Sequence, residues 1–535
     1  MKRWLLKRTK IDTAAMARDL GIRRATAAVL ANRELSSRQA ARSFLYGGTA
    51  ALGNPLEMKD FSQAVSLLAE AIRAGKRIAV YGDYDVDGVM STSILYQTIL
   101  RCGGNAVFYL PHRQKEGYGL NLRAVEQLAA EGIEVLFTCD NGIAALQEIA
   151  LAKEKGMTVV VLDHHEPGFR GEGEERRDIL PAADAIIDPK QRACPYPFKQ
   201  MCAGGLSYYF AHHLLQIFEI TDEGLERQLL TFAGIATVCD IVDLLGENRA
   251  LVQMGLAEIR KTENIGLRVL IEEAGLSDKV ISEYHIGFII GPCINATGRL
   301  ESGRLAVELF CTQDEKEARE KARHLVMLNA ERKQLTEEAA ERADIALQEG
   351  GALQDRVLVL YDAEIHESIA GIVAGRIKDK YYRPTILITD SEDGAKGSGR
   401  SIEGYHLDLV TRFGGHAMAA GLSLPVENIP VLRRRLNEGC TLTEEQMIPI
   451  LRLEDALSFA EIDLGLAKEL QTLAPFGKGN PAPLFASKGI HADRVDLIGK
   501  NKDILRLTLS EPENGIRLSA ISFDGYEPLR EMLKA

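Results

Sequence analysis

The 535-residue sequence has little that would suit an oxidising compartment or a membrane. Its eight cysteines are scattered from Cys102 to Cys440 without a C-x-x-C pair, and the nearest two, Cys194 and Cys202, lie on a proline-containing loop. Reduced, mostly buried thiols are expected, rather than a disulfide framework or a thiolate zinc site. Long apolar runs are missing too. Stretches such as 357–360 and 288–290 fall far short of the roughly 20 residues that a spanning helix needs. At the N-terminus, MKRWLLKRTK sets only Trp4, Leu5 and Leu6 between basic residues, too few for the apolar part of a signal peptide. A cytoplasmic protein without membrane association is expected. The chain also lacks net positive charge: 64 basic against 76 acidic residues leave −12. That balance disfavours indiscriminate adhesion to nucleic acid, so any nucleic-acid site has to be a local basic patch. No internal repeat or low-complexity tract is evident. With 46% hydrophobic and 26% charged residues, a packed core is expected and disordered, collagen-like or coiled-coil classes are excluded for the whole.

What is present reads as an α/β protein of several domains, since the length alone suggests three or four. Residues 1–75 form an N-terminal helical region, with apolar positions at helical spacing in IDTAAMARDLGI and SQAVSLLAEAIRAGK. In 76–245 short β-rich runs (RIAVYG, NAVFYLP, EVLFTCD, TVVVLDHH, DAIIDPK) alternate with helical stretches. That alternation predicts a doubly wound parallel sheet. Strand signals then almost vanish over 246–350, which ends in a long connecting helix of strong helix formers without proline. A second, smaller α/β domain comes next at 351–428, with strands in DRVLVLYD, PTILITD and AKGSGRSI and helices opening at ESIAGIVAGRIKDK and FGGHAMAAG. Residues 450–535 read as short strands divided by Gly, Pro and Asn, a small OB-like β-barrel.

The chemistry concentrates at strand ends. In GDYDVDG, Asp83, Asp85 and Asp87 stand between a strand and a helix, at the carboxyl edge where doubly wound sheets place ligands. Three carboxylates so close repel one another unless cations neutralise them. An EF-hand loop opens in the same way, but its twelfth position here is Ile94 instead of Glu. A helix cap accounts for one aspartate and hardly for three. The next strand ends in TCDNG with Asp140, and the one after ends in VLDHHEP with Asp163, His164 and His165. A lone Asp or His at such a place is usually structural; the coincidence on three strands is not. Further on, CDIVDL offers Asp240 or Asp243 to complete a coordination shell.

With these residues in view, the chain resembles the DHH phosphoesterase family, and within it the single-strand-specific exonucleases. The likeness runs along essentially the whole chain: GDYDVDG, CDNG, DHHEP, CDIVDL, GPCINATGRL, LNAERKQL, GSGRSI, FGGHAMAAG and APFGKGNPAPLF occur in order. It implies a metal-dependent 5′→3′ exonuclease that degrades single-stranded DNA to nucleotides in repair and recombination. Position by position it implies a two-metal site of Asp83, Asp85, Asp140, His164 and Asp240, with Asp140 as the bridge. Asp163 would orient the histidine pair, His165 would face the scissile phosphate, and Arg299 would balance charge on the transferred phosphoryl group. Carboxylates with one imidazole suit two Mn²⁺ or Mg²⁺ ions. Arg113, Ser398 and Arg400 resemble a pocket for a 5′-phosphate, Gly415 and His416 a helix opening near substrate phosphate, and Tyr118 a platform for a base. Expected partners are single-stranded DNA, a single-stranded-DNA-binding protein and a helicase, with the chain itself a monomer.

The sequence departs from the family pattern at Cys293, where arginine is common, and just before His366, where a tryptophan is usual. After ISFDGYEPLREMLKA the family's final barrel strands are expected and do not appear, so the barrel is expected to be incomplete. A phosphodiesterase for oligonucleotides or cyclic dinucleotides shares the metal site but generally lacks the helical preface, connector and barrel. A non-enzymatic replication scaffold with a dead site would have lost ligands. Pyrophosphatase relatives lack GSGR and the barrel.

Overall fold

In the computed structural model, residues 2–171, 173–391, 394–407, 415, 416, 418–499 and 504–523 are described. The chain divides into two units: Met1–Gly47 with Ile450–Phe476 and Asn480–Ala535, and Gly48–Pro449 with Gly477–Gly479. These boundaries differ from the five sequence segments, because the N-terminal 47 residues fold with the C-terminal ones, whereas 48–75 fold with the first sheet domain.

The larger unit is built first on a parallel sheet of β1 (Arg77–Tyr81), β2 (Asn105–Tyr109), β3 (Val135–Cys139), β4 (Thr158–Leu162) and β5 (Ala185–Ile187), in the order β2-β1-β3-β4-β5. Alternation along the strands sorts the core onto two faces. Ile78, Val80, Phe137, Val160 and Leu162 pack into one apolar cluster and Ala79, Tyr81, Leu136, Val159 and Val161 into the other. Both faces are covered by helices, which is why these strands read as continuous apolar runs. Helices α1 (Val86–Arg101), α2 (Ala203–Ile217) and α3 (Glu223–Cys239) lie on the first face. Further along, α4 (Gly291–Leu300) succeeds a π-helical stretch at Ile286–Ile290.

The expected long helix is α5 (Glu315–Glu349), begun by Asp314, whose side chain accepts from the backbone N–H groups of Lys316 and Glu317. Its apolar positions serve two cores in turn. Ala318, Ala322 and Leu325 join the core of the first sheet, and Ala339, Ala343 and Leu347 that of the second domain. Spacings of four and three residues in the first trio and of four and four in the second keep each on one helix face.

The second domain carries a mixed sheet of β6 (Leu358–Tyr361), β7 (Thr385–Ser391), β8 (Gly394–Arg400), β9 (Gly415–His416) and β10 (Ala419–Leu424), in the order β9-β10-β8-β7-β6. Helix α6 (Glu367–Tyr381) packs against β7 and β8. Here the structure corrects the sequence reading. Among the described residues of FGGHAMAAG there is no helix: Gly415 and His416 pair antiparallel with Ala420 and Ala419, and β10 pairs along the length of β8. Ala420 and Leu422 are buried while Gly421 and Ser423 are exposed, a period of two that sheet pairing imposes over the local helix preference of alanine.

In the smaller unit the N-terminal region is not wholly helical. Arg3–Leu6 is a strand paired in parallel with Ile450–Leu453, and after it come helices Thr13–Leu20, Arg24–Asn32 and Arg38–Tyr46. Its C-terminal part holds an antiparallel sheet of His491–Ile498, Ile504–Glu511 and Ile516–Ser522. The last residues of the expected barrel, 524–535, lie outside the described ones.

Candidate active site

In the strand order β2-β1-β3, the chain leaves β1 and β3 in neighbouring positions at their carboxyl ends, the crevice where such sheets hold ligands. Asp83 and Asp140 stand just beyond these two strands. Asp85 caps α1, its Oδ1 accepting from the Gly88 N–H at 3.1 Å. Gly88 has to be glycine, since a Cβ there would stand 2.4 Å from the Asp83 carbonyl oxygen. Asp140 sits at φ 62°, in the left-handed region that aspartate tolerates better than most residues. Asp163 and His164 come directly after β4, and Asp240 caps the C-terminus of α3.

These residues converge. Ligand atoms of Asp83, Asp85 and Asp140 lie within 4.8 Å of one another, as do those of Asp87, His164 and Asp240, and those of Asp140, His164 and His165. The His164 Nε2 stands 3.1 Å from Asp140 Oδ1 and 3.5 Å from Asp87 Oδ2, and its Nδ1 3.7 Å from Asp240 Oδ2. Asp243, the other candidate in CDIVDL, faces Lys478 at 3.8 Å instead.

Electrostatics separates the two histidines. Burial, then the charge of His165, lowers His164 to about 3, so its ring stays neutral with a lone pair to offer. For His165 burial works against the cation. The hydrogen bond and charge of Asp163 outweigh it and raise the imidazole to about 9. Asp163 is held the other way: burial opposes its ionisation, yet His165, His164 and the Ile143 N–H bring it down to about 2. Its Oδ1 accepts from His165 Nδ1 at 2.7 Å and from the His164 N–H at 2.7 Å, and its Oδ2 from the Ile143 N–H at 2.9 Å. Burial, then the neighbouring aspartates, push Asp83, Asp140 and Asp240 well above the usual carboxylate range. Asp83 Oδ1 is buried without a hydrogen-bond partner. A carboxylate cluster so placed, with an orphaned oxygen, one neutral imidazole and no thiolate, fits hard divalent cations such as Mn²⁺ or Mg²⁺.

Beside this rim a cleft of about 290 Å³ opens toward the second domain, lined among others by Tyr84, Arg113, Tyr118, Arg299, Ser398 and Arg400. Tyr118 donates to the Asp140 carbonyl at 3.2 Å and its hydroxyl lies 3.1 Å from His165 Nε2, while the residue as a whole is 55% exposed. Arg113 stacks over Tyr84 at 5.2 Å. Arg299, from α4, donates to the Ser368 carbonyl at 2.5 Å. Burial, then the charges of Arg113 and Arg332, lower its guanidinium to about 10. Arg400 donates to Ser398 Oγ at 3.2 Å and to the Gly399 carbonyl at 2.8 Å. Gly371 of α6 faces both: a Cβ there would stand 2.6 Å from Arg400 Nη2 and 2.7 Å from Ser398 Oγ. For Gly415 and His416 the backbone is described as β9 and the side chains lie outside the described residues, as do Gly414 and Ala417.

Two groups are absent from the set of site residues that the resemblance implies. Asp87, whose carboxylate accepts from the Ala203 and Gly204 N–H groups at 2.8 and 2.7 Å, joins His164 and Asp240. Burial, then Asp85, push it to about 7. The motif displayed it, as the third carboxylate of GDYDVDG. Lys396 lines the cleft and pairs with Glu367 at 3.1 Å. Its signal was the period of two that places Lys396, Ser398 and Arg400 on one face of β8.

Comparisons with known proteins agree with this architecture. The DHH family, N-terminal domain, matches residues 77–237, the DHHA1 domain residues 354–441 and the RecJ OB domain residues 453–535. The chain is 36% identical over 538 residues to the single-stranded-DNA-specific exonuclease RecJ of Bacillus subtilis, covering 98% of this chain and 66% of that protein. It therefore spans about two thirds of that relative's length. It is 33% identical to the enzyme of the same name from Haemophilus influenzae, covering 88% of this chain and 85% of that one. A crystal structure of RecJ from Thermus thermophilus in complex with Mn²⁺ superposes with a TM-score of 0.80 at 27% identity, covering 97% of this chain and 74% of that one. The complex of the Thermus protein with Mg²⁺ superposes with a TM-score of 0.72 at 25% identity, covering 97% and 72%.

Proposed function

The chain belongs to the RecJ family of single-stranded-DNA-specific exonucleases, which carry a DHH domain, and on that premise we propose that it removes nucleotides from the 5′ end of single-stranded DNA in repair and recombination. The observation that carries the reading is the juxtaposition of a carboxylate–histidine rim with a basic cleft that fits a terminal phosphate.

Asp83, Asp85, Asp87, Asp140, His164 and Asp240 would hold two divalent ions, Mn²⁺ or Mg²⁺. Such ions activate water and stabilise charge in an in-line displacement at phosphorus. The protein's own groups do the rest. Asp163 keeps His165 protonated and oriented; its outer N–H meets the Tyr118 hydroxyl at 3.1 Å and would turn from it to the scissile phosphate when substrate enters. Arg299, fixed by the Ser368 carbonyl, aims a charge that cannot be neutralised near pH 7 at the same phosphate. Arg113, Ser398 and Arg400 grip the 5′-phosphate, a fork of donors suited to a dianion. With the terminal phosphate anchored there, the bond that reaches the rim is the one next to the 5′ end, which sets the polarity. Tyr118 offers its exposed ring to a base.

The reaction consumes strands that a helicase exposes and a single-stranded-DNA-binding protein keeps extended, and these are its proposed partners. We place it in the cytoplasm as a monomer, an environment in which eight free cysteines stay reduced. The test is incubation of the full chain with Mn²⁺ and end-labelled single-stranded and duplex DNA and RNA. Mononucleotides should leave single-stranded DNA from the 5′ end, blunt duplex should resist, and a chelator should stop the reaction. Release beginning at the 3′ end would overturn the proposed polarity.

A further inference from the structure

The first ten residues of this acidic chain carry five basic side chains, Lys2, Arg3, Lys7, Arg8 and Lys10, and no acidic one. The structure makes a strand of Arg3–Leu6, paired in parallel with Ile450–Leu453, and leaves its apolar residues open: Trp4 is 59% exposed, Leu5 46% and Leu6 44%. Trp4 is the only tryptophan of the chain. Strand alternation puts Trp4 and Leu6 on one face and Arg3 and Leu5 on the other.

Lys7 extends the pairing, its N–H donating to the Leu453 carbonyl at 2.9 Å. Its ammonium binds the buried Glu454 carboxylate at 2.8 Å, which also accepts from Asn32 at 2.9 Å. That neutral, buried anchor fixes the segment in place. Beyond it, Arg8 and Lys10 are exposed and line, with Thr9, Asn32 and Ser36, a cleft of about 470 Å³ in which Glu34 is the one acidic residue among the described lining.

We propose that this strand and the basic segment after it form a ledge for single-stranded DNA, with Trp4 stacking on a base and Arg8 and Lys10 meeting the phosphates. Three successive apolar side chains left open on an anchored strand, Trp4, Leu5 and Leu6, mark an interaction surface. The neighbouring charge then selects the ligand, because a basic groove with an aromatic platform is how proteins bind single strands without reading sequence. The proposal rests on the single-stranded-DNA reading and adds a contact surface in the smaller unit.

The test uses the full chain carrying Asp140→Ala, so that DNA is bound and not cut. Tryptophan is excited selectively while unlabelled oligothymidylate is added, and binding is measured independently by anisotropy of a labelled oligonucleotide. Quenching should saturate together with the anisotropy. Trp4→Ala should weaken binding of long strands about fivefold or more, the worth of one base stacked on an aromatic ring. Trp4→Phe should restore binding, and Arg8→Ala with Lys10→Ala should flatten its salt dependence. Saturated anisotropy with unchanged fluorescence, or quenching that tracks protein concentration without DNA and so reports a second copy of the chain, would overturn the ledge. Absence of any anisotropy change would instead sink the single-stranded-DNA reading itself.

Discussion

Single residues at the rim have separable jobs. Asp140 touches His164 and joins both Asp83 and Asp85, so Asp140→Ala should lower nuclease activity by several orders of magnitude. Alanine at φ 62° costs about 1 kcal/mol, but removing a carboxylate that burial and its neighbours disfavour offsets that, so the melting temperature should hardly move. Asp140→Asn, which keeps the left-handed preference, controls for strain. Activity within about tenfold of wild type would refute the metal assignment. Asp163→Asn should lose less, because it orients His165 and lies outside the three ligand groups. Asp188, directly after β5, gives a prediction read in stability and not in activity. It is fully buried, one oxygen has no partner, and burial, then Asp163, raise it to about 8. A carboxyl raised in the folded state makes folding less favourable as pH climbs from its unfolded value of about 4 toward that raised value. Asp188→Asn should therefore raise the melting temperature at pH 8 and leave it nearly unchanged at pH 4; an equal shift at both would contradict this. Nothing near IIDPK in the sequence announces the effect, because the cost depends on what surrounds the side chain.

At the scale of elements, the cleft depends on β8 and α6 meeting at close range. Gly371→Ala would drive a methyl against Arg400 and Ser398, whose ends are free to shift but only by leaving their places in the pocket. Expected is weaker binding of 5′-phosphorylated strands, by up to about the 1.5–3 kcal/mol of a charged hydrogen bond, with little change for 5′-hydroxyl strands. Arg400→Ala should weaken 5′-phosphorylated substrates by about 1.5–3 kcal/mol, the worth of a charged hydrogen bond. Both are read by comparing KM for the two kinds of end; equal discrimination in the mutants would exclude the pair from the pocket. The elements themselves were largely legible. Five apolar runs became five parallel strands, and the proline-free charged stretch became a 35-residue helix. FGGHAMAAG misleads because its small residues suit a helix in isolation, and only pairing with β8 decides otherwise.

For the whole molecule, the unexpected feature is that the two ends of the sequence fold together. Cutting the chain near residue 445 would remove the strand that pairs with Arg3–Leu6, so the test of the smaller unit deletes both 1–47 and everything from 450, and Gly477–Gly479 of the larger unit go with it. In an Asp140→Ala background, the remaining 48–449 should show a flatter plot of log affinity against log salt, by about 0.7 for each phosphate that is no longer neutralised. Coincident slopes would mean that the smaller unit does not grip DNA. The sequence by itself determined the sheet's strands, the carboxylates and histidines at their ends, and the face of β8 that carries Lys396, Ser398 and Arg400. Each of these is a local matter: a period of two, a turn, or a motif whose residues are neighbours in the chain. Tertiary structure alone decided that Asp87 turns to meet His164 and Asp240, that Gly371 faces Arg400, and that a basic N-terminal segment becomes a strand. Those outcomes join residues far apart along the chain, and they are set by which packed arrangement buries the most apolar surface while leaving its polar groups paired. No local preference encodes that.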